Sequence, residues 1–346
     1  MPESESDPTF PFGQSRRVTS FMQTRRLLLA TVTAIVAAAT LAGSGVARAD
    51  WPDRPIKWVV PFGPGGANDL IARAAAEAVA KRIGQPIVIE NKAGAGAVIG
   101  ADYVAKAKPD GYTWLIGAAG VVTNSILRAD MPYADADLLP VGMIAVAPSV
   151  IVVHPSVPAS NLKEFVAWAK TQGGGINWAT AGGGSTPHFV AEMLREAGVN
   201  VTIVPYKSGS EGMTAVLANN VHATSEASIV VLPQVKAGKL KAVATTYSKR
   251  ISAYDTLPTA LEQGFSGVLI GHWAGLFAPK GTSPAIVERM SKELEAAVKS
   301  AEFRDKMVPS GIEPEPGTTA SFVVFINAER DRLGRLAKKA NMQADR

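Results

Sequence analysis

The chain has 346 residues, a hydrophobic fraction of 47% and a formal net charge of +5, enough apolar material to bury a sizeable core. Its basic and acidic residues are interspersed without runs of like charge, which argues against a nucleic-acid groove built from clustered cations. There is no cysteine, so thiol catalysis, thiolate metal sites and disulfide staples are excluded.

The first 49 residues read as an N-terminal extension and export signal. Residues 1–21 are polar and carry no periodicity. Met22 opens a basic region with Arg25 and Arg26, the apolar run Leu27 to Leu41 follows, and Ala47-Arg48-Ala49 supplies a small-residue exit. That order is what a cleavable secretory signal needs. The apolar run falls short of the ~20 residues of a spanning helix, which disfavours a membrane anchor. Thr24 to Leu29 also resembles a twin-arginine signal, so Sec and twin-arginine export both stay open, as do starts at Met1 and Met22. Cleavage after Ala49 would leave Asp50 to Arg346 as the exported chain. It removes five of the 35 basic and three of the 30 acidic residues, lowering the net charge from +5 to +3.

Strand and helix patterns then alternate. Ile56 to Phe62 reads as a buried strand, stopped by Gly63-Pro64-Gly65-Gly66, with Asn68 or Asp69 capping a helix that runs to Gly84. Ile87 to Ile89 is the next strand, and a glycine-rich turn leads to a helix over Ala101 to Ala107. Pro109-Asp110-Gly111 marks a turn before the strand Tyr112 to Ile116. The rhythm restarts with the long β-branched run Val141 to Val153, a helix Leu162 to Lys170, a strand Asn177 to Thr180 and a helix Phe189 to Ala197. Val201 to Val204 and Leu240 to Thr245 read as strands and Gly212 to Ala218 as a helix. Trp273 to Ala278 reads as a return strand, and helices near Pro284 to Ser300 and Thr319 to Lys339 close the chain. The pattern predicts parallel sheet covered on both faces. It also predicts two lobes: 50–147 as the first part of lobe 1, 148–247 as lobe 2, and 248–346 completing lobe 1 with the C-terminal helices.

Ligands of parallel α/β sheets bind beyond the carboxyl ends of strands, where helix N-termini point outward. Three loops qualify. Phe62, Gly65, Gly66, Asn68 and Asp69 lie in a loop whose glycines would let an anion approach free N–H groups, although a plain strand-to-helix turn fits equally. Thr180, Ser185, Thr186 and His188 lie in a loop of three glycines and three hydroxyls, a good carboxylate-binding composition; for His188, packing at the helix start is the favoured role. Tyr206 could wall a cleft beside Lys207. Ser225 and Glu226 follow a probable strand end, and a carboxylate at 226 would favour ligands that carry an amine or hydroxyl donor. Enzyme signatures are near misses: Gly94-x-Gly96-x-x-x-Gly100 has one residue too many for a dinucleotide fingerprint, and Ser208 to Gly212 lacks the first glycine of a nucleophile elbow. The histidines His154, His188, His222 and His272 have no metal-ligand spacing. No enzyme activity, cofactor or metal is expected.

The residues from Trp51 onward resemble the tripartite tricarboxylate transporter substrate-binding receptors, the TctC or Bug family. The likeness rests on Trp51 to Ile56, Val60-Pro61-Phe62 with Gly65-Gly66 and Asp69, Glu90 to Gly96, Pro109 to Thr113, Gly184 to His188 and Val204 to Lys207. Gly238-Lys239-Leu240, Leu257-Pro258-Thr259 and Gly275 to Pro279 extend it. The resemblance implies a two-lobed periplasmic-binding-protein (Venus-flytrap, type II) α/β fold with a ligand cleft between the lobes. Its implied ligands are di- or tricarboxylates, acidic amino acids or aromatic acids, gripped through Phe62 to Asp69 and through Thr180, Ser185, Thr186 and His188. Where the family often has a glycine pair and an aspartate, this chain has Asn219-Asn220-Val221-His222. The expected protein is a monomeric periplasmic receptor that delivers a small carboxylate to membrane transport subunits and takes no nucleic acid. The alternative is a sensory adaptor that presents the carboxylate to a receptor kinase.

Overall fold

The computed structural model describes residues 51–343, so the expected export signal and its cleavage point lie outside the described residues. Ten strands form one continuous hydrogen-bonded system in which a single long strand takes part twice.

The first half begins with β1 (Ile56–Val60), which pairs in parallel with β2 (Ile87–Asn91) and β3 (Thr113–Gly117). Between β1 and β2 runs α1 (Ala67–Ile83). Its run of alanines lets it lie close on the sheet, and it stops at Gly84, whose left-handed backbone (φ 71°) donates back to Ala80 O. Next in order come α2 (Val98–Ala105) and α3 (Ala119–Leu127). The sixteen-residue β4 (Leu138–Val153) lies antiparallel to β9 (Gly271–Pro279), which in turn lies antiparallel to β3. A short β10 (Glu313–Pro314) covers the other edge of β4.

The second half uses the far end of β4. From Ser149 to Val153 it pairs antiparallel with β7 (Ala223–Ala227), and from Val150 to Val153 with β8 (Lys241–Thr245). β5 (Ile176–Thr180) joins β7 to β6 (Val201–Pro205) in parallel. The helices here are α4 (Leu162–Thr171), α5 (Thr186–Glu196), α6 (Gly209–Leu217) and α7 (Ser228–Lys236). The expected parallel sheet with a return strand is a mixed sheet: β4 pairs antiparallel with β7, β8, β9 and β10, and β9 antiparallel with β3. Helical connections make the parallel pairs, while β4 runs in the sense of β3, with β9 reversed between them, and so opposes β7 and β8 where it enters the second half.

Each half has its own core. Trp58, Trp114, Ala274 and Leu276 are buried in the first, and Ile151, Phe165, Trp178 and Phe189 in the second; a fully buried side chain of this size contributes roughly 1.5–3 kcal/mol. Ile251, Leu257, Ala260, Val268 and Ile270 pack with the second half, and the chain rejoins the first at Gly271. Three helices complete the described chain: α8 (Pro284–Lys299), α9 (Ala301–Met307) and α10 (Thr319–Lys339). The last joins both cores, with Phe322 and Ile326 in the first half and Leu333, Leu336 and Ala337 in the second. Among the described residues no helix is long and apolar enough to cross a membrane.

Candidate functional site

Register places the site. Gly117 at the end of β3 stands opposite Gly275, and further along β9 Gly271 stands opposite Pro148 of β4. The carboxyl ends of β1, β2 and β3 therefore point at the Pro148/Ser149 crossover. In the second half Ala227 at the end of β7 stands opposite Ser149, and β5 runs parallel to β7 and β6 to β5. Their carboxyl ends meet the same crossover from the other side. The N-termini of α1, α3, α5, α6 and α7 follow those strand ends directly, so partial positive charge and unpaired N–H groups gather along one line.

The first loop is held from beneath. Asp69 is 2% exposed. Its Oδ2 accepts from Gly65 N at 2.9 Å and Arg73 Nε at 3.0 Å, and its Oδ1 from Asn91 Nδ2 at 2.9 Å. Arg73 Nη2 also lies 3.0 Å from Oδ1. Burial alone would raise the carboxyl pKa, but the hydrogen bonds from Arg73, Gly65 and Asn91 outweigh it and hold the group below its ordinary value. Asn91 Nδ2 also donates to Phe62 O at 3.0 Å, and Asn68 Nδ2 donates to Trp273 O at 3.1 Å. The Phe62 ring packs on the first core. Gly65 sits at φ 82°, and a methyl added at Gly63 or Gly65 would meet nothing within 4 Å, so this backbone borders open space. The helix cap expected at Asn68 or Asp69 is instead Gly66, and Asp69 works from inside the first turn.

The second loop is tied by its own side chains. Ser185 Oγ donates to Gly182 O at 2.7 Å and accepts from Ala181 N at 3.3 Å. His188 Nδ1 accepts from Gly184 N at 3.1 Å, and its Nε2 lies 3.7 Å from Glu192 Oε1, so its ring braces the loop. Thr186 is the first residue of α5 and largely buried. The Oγ1 of Thr180 and the Oγ atoms of Ser225 and Ser149 are buried with no hydrogen-bond partner among the described residues. Such hydroxyls carry a desolvation cost unless something accepts or donates to them. Thr180 ends β5, Ser149 lies in β4 at the crossover, and Ser225 lies in β7 two residues before Ala227, which stands opposite Ser149.

Of the remaining expected residues, Tyr206 lies at the margin and Glu226 beside the crossover, opposite Val150. Tyr206 donates its backbone N–H to Thr180 O at 2.9 Å, and its side chain lines a shallow outer depression with Ser210, Glu211 and Thr214. Glu226 Oε1 accepts from Ala227 N at 2.8 Å. The Nε2 of His272, at the start of β9, lies 3.5 Å from Glu226 Oε1. Burial pushes the His272 imidazole pKa down against the opposing pull of Glu226. Ser149, His272 and the start of α3 were not among the sequence candidates. For α3 a signal exists, since Gly117-Ala118-Ala119-Gly120 follows a strand as the other loops do. For Ser149 and His272 there is none, because only strand pairing brings them to the crossover.

The chain matches the model of the tripartite tricarboxylate transporter family receptor over residues 71–342. It is 32% identical over 316 residues to protein BugT of Bordetella pertussis, covering 90% of this chain and 97% of BugT. Among solved structures it resembles the periplasmic binding protein BugD at 33% identity and a TM-score of 0.75, covering 85% of this chain and 100% of BugD. It resembles R. palustris Rpa4515, solved with adipate, at 32% identity and a TM-score of 0.78, covering 85% of this chain and 99% of that one. The fold is therefore the two-lobed α/β fold of periplasmic solute-binding proteins. The chain belongs to the tripartite tricarboxylate transporter receptor family, as a solute-binding receptor and not an enzyme.

Proposed function

We propose that the protein is a monomeric periplasmic receptor that closes on a small carboxylate and delivers it to the membrane subunits of a tripartite tricarboxylate-type transporter. The observation that carries this reading is the convergence of helix N-termini from both halves on one crossover lined with buried, unpartnered hydroxyls. N–H groups and hydroxyls hold an anion without the desolvation cost of a buried ion pair. The adipate in Rpa4515 supports a carboxylate as the solute class. Lobe 1 would comprise 51–148 and 271–343, and lobe 2 residues 149–270, with hinges where β4 and β9 cross. The ligand shifts the population toward closure because it binds the closed form better, and exclusion of water strengthens each hydrogen bond.

Within the cleft, the backbone of Gly63 to Gly66 and the hydroxyls of Thr180, Ser185, Thr186 and Ser225 would touch the ligand. Asn68, Asp69 and His188 would hold the loops in place. Thermal denaturation against a carboxylate panel tests the reading: a ligand at 100 times its Kd adds about 2.7 kcal/mol to the folded state. If no carboxylate raises the melting temperature of ligand-free refolded protein, capture is refuted. Thr186→Val keeps the shape and removes one hydroxyl. It is expected to weaken binding about 10-fold, the equivalent of one hydrogen bond to a charged group, with an unchanged ligand-free melting temperature. Equal affinity in calorimetry would move the contact elsewhere.

A further inference from the structure

Glu226 and His272 come from different halves of the fold and meet beside the crossover. Glu226 stands opposite Val150 of β4 and His272 opposite Ala147, so the two flank Pro148/Ser149. Their side chains are only 14% and 17% exposed. The Glu226 carboxylate is seated at the start of α6: a methyl on Gly209 would overlap its Oε2 and lie 2.8 Å from its Cδ. The absence of a side chain at 209 is what admits it. One oxygen takes the Ala227 N–H, and His272 Nε2 has no hydrogen-bond partner among the described residues. The protein thus places its own negative charge at one of the helix N-termini that would otherwise face an anion. Beside it stands an imidazole nitrogen able to accept or donate.

We propose that this Glu226–His272 pair is the specificity determinant of the cleft, selecting carboxylates that also carry a hydrogen-bond donor, an ammonium or a hydroxyl. The inference rests on the receptor reading above. A donor group bridging Glu226 Oε1 and His272 Nε2, 3.5 Å apart, satisfies both, and an ammonium also neutralises the carboxylate. A ligand that brings only methylenes to this end leaves the buried His272 Nε2 unmet and the Glu226 carboxylate with the Ala227 N–H alone, which is how sites built for a donor discriminate against analogues lacking it.

The test is calorimetry on the mature protein, stripped of ligand, with two matched series: butanoate, 4-hydroxybutanoate and 4-aminobutanoate; and succinate, malate and aspartate. In the parent protein a donor-bearing member should bind at least about 10-fold tighter than its donor-free counterpart. Glu226→Gln should lose most of the ammonium preference, and Glu226→Met should bring the series to near parity. His272→Ala should reduce the hydroxyl preference, with circular dichroism and melting confirming that each variant folds. Equal affinities across a series in the parent, or a preference that survives both Glu226 variants, would overturn the inference while leaving the receptor reading intact. If no member of either series, nor any other carboxylate, binds, both fall together.

Discussion

Asp69→Ala is expected to lower the stability of the folded protein by about 2–4 kcal/mol and to remove measurable carboxylate binding. The side chain is nearly fully buried, and both of its oxygens serve the loop between β1 and α1. Truncation leaves the Gly65 N–H and one Asn91 Nδ2 hydrogen bond unmet and frees the backbone that borders the cleft. Arg73 contributes less to the loss, because its side chain is 49% exposed and water takes over its charge. The pH dependence has a definite sign. The folded-state pKa lies below the ordinary 3.8, so this carboxylate's contribution is fully present above the unfolded value and is lost as pH falls through the folded one. Urea unfolding at pH 7 and at a pH well below 3.8 should show a smaller acid loss in Asp69→Asn than in the parent. An unchanged urea midpoint for Asp69→Ala would refute the anchoring role.

A second large effect is expected at the paired glycines Gly117 and Gly275. They face each other across β3 and β9. A methyl on Gly275 would overlap the Phe322 ring, and one on Gly117 the Phe277 ring. Phe277 and Phe322 contact edge to face with centroids 5.3 Å apart, and Trp273 and Phe325 extend the cluster. The glycines provide the floor on which α10 is seated, so Gly275→Val should cost at least about 3 kcal/mol through overpacking. Because α10 reaches into the second core through Leu333 and Leu336, the loss should appear in the cooperative unfolding of the whole molecule. Phe322→Ala alone should cost about 3–5 kcal/mol, and the double variant clearly less than the sum, since each change relieves the other's misfit. Strict additivity in denaturant unfolding would mean that the two residues do not press on each other.

The local chemistry of the chain was legible in one dimension. Ile56 to Val60, Leu162 to Thr171 and Pro284 to Lys299 follow from apolar periodicity and from Gly and Pro punctuation, which act over a few residues. The glycine- and hydroxyl-rich loops at the strand ends were legible for the same reason. The stretch 228–236 was harder: its apolar run contains Pro233 yet forms α7, because burial of Val231 and Leu232 outweighs the missing N–H. Asp69 and His188 each bond to residues four positions away on either side, Gly65 and Arg73 for one and Gly184 and Glu192 for the other, and only the Asn91 partner of Asp69 is brought in by the sheet.

What the sequence by itself determined is the repertoire: alternating strands and helices, glycine loops at strand ends, and a family likeness carried by short ordered motifs. Only the tertiary structure decided which strands run antiparallel, that β4 serves both halves, and that Ser149, Glu226 and His272 meet where it crosses. Propensity and capping are local energies and are written in neighbouring residues. Pairing between residues as distant as 147 and 272 is selected only when the whole sheet closes around its cores.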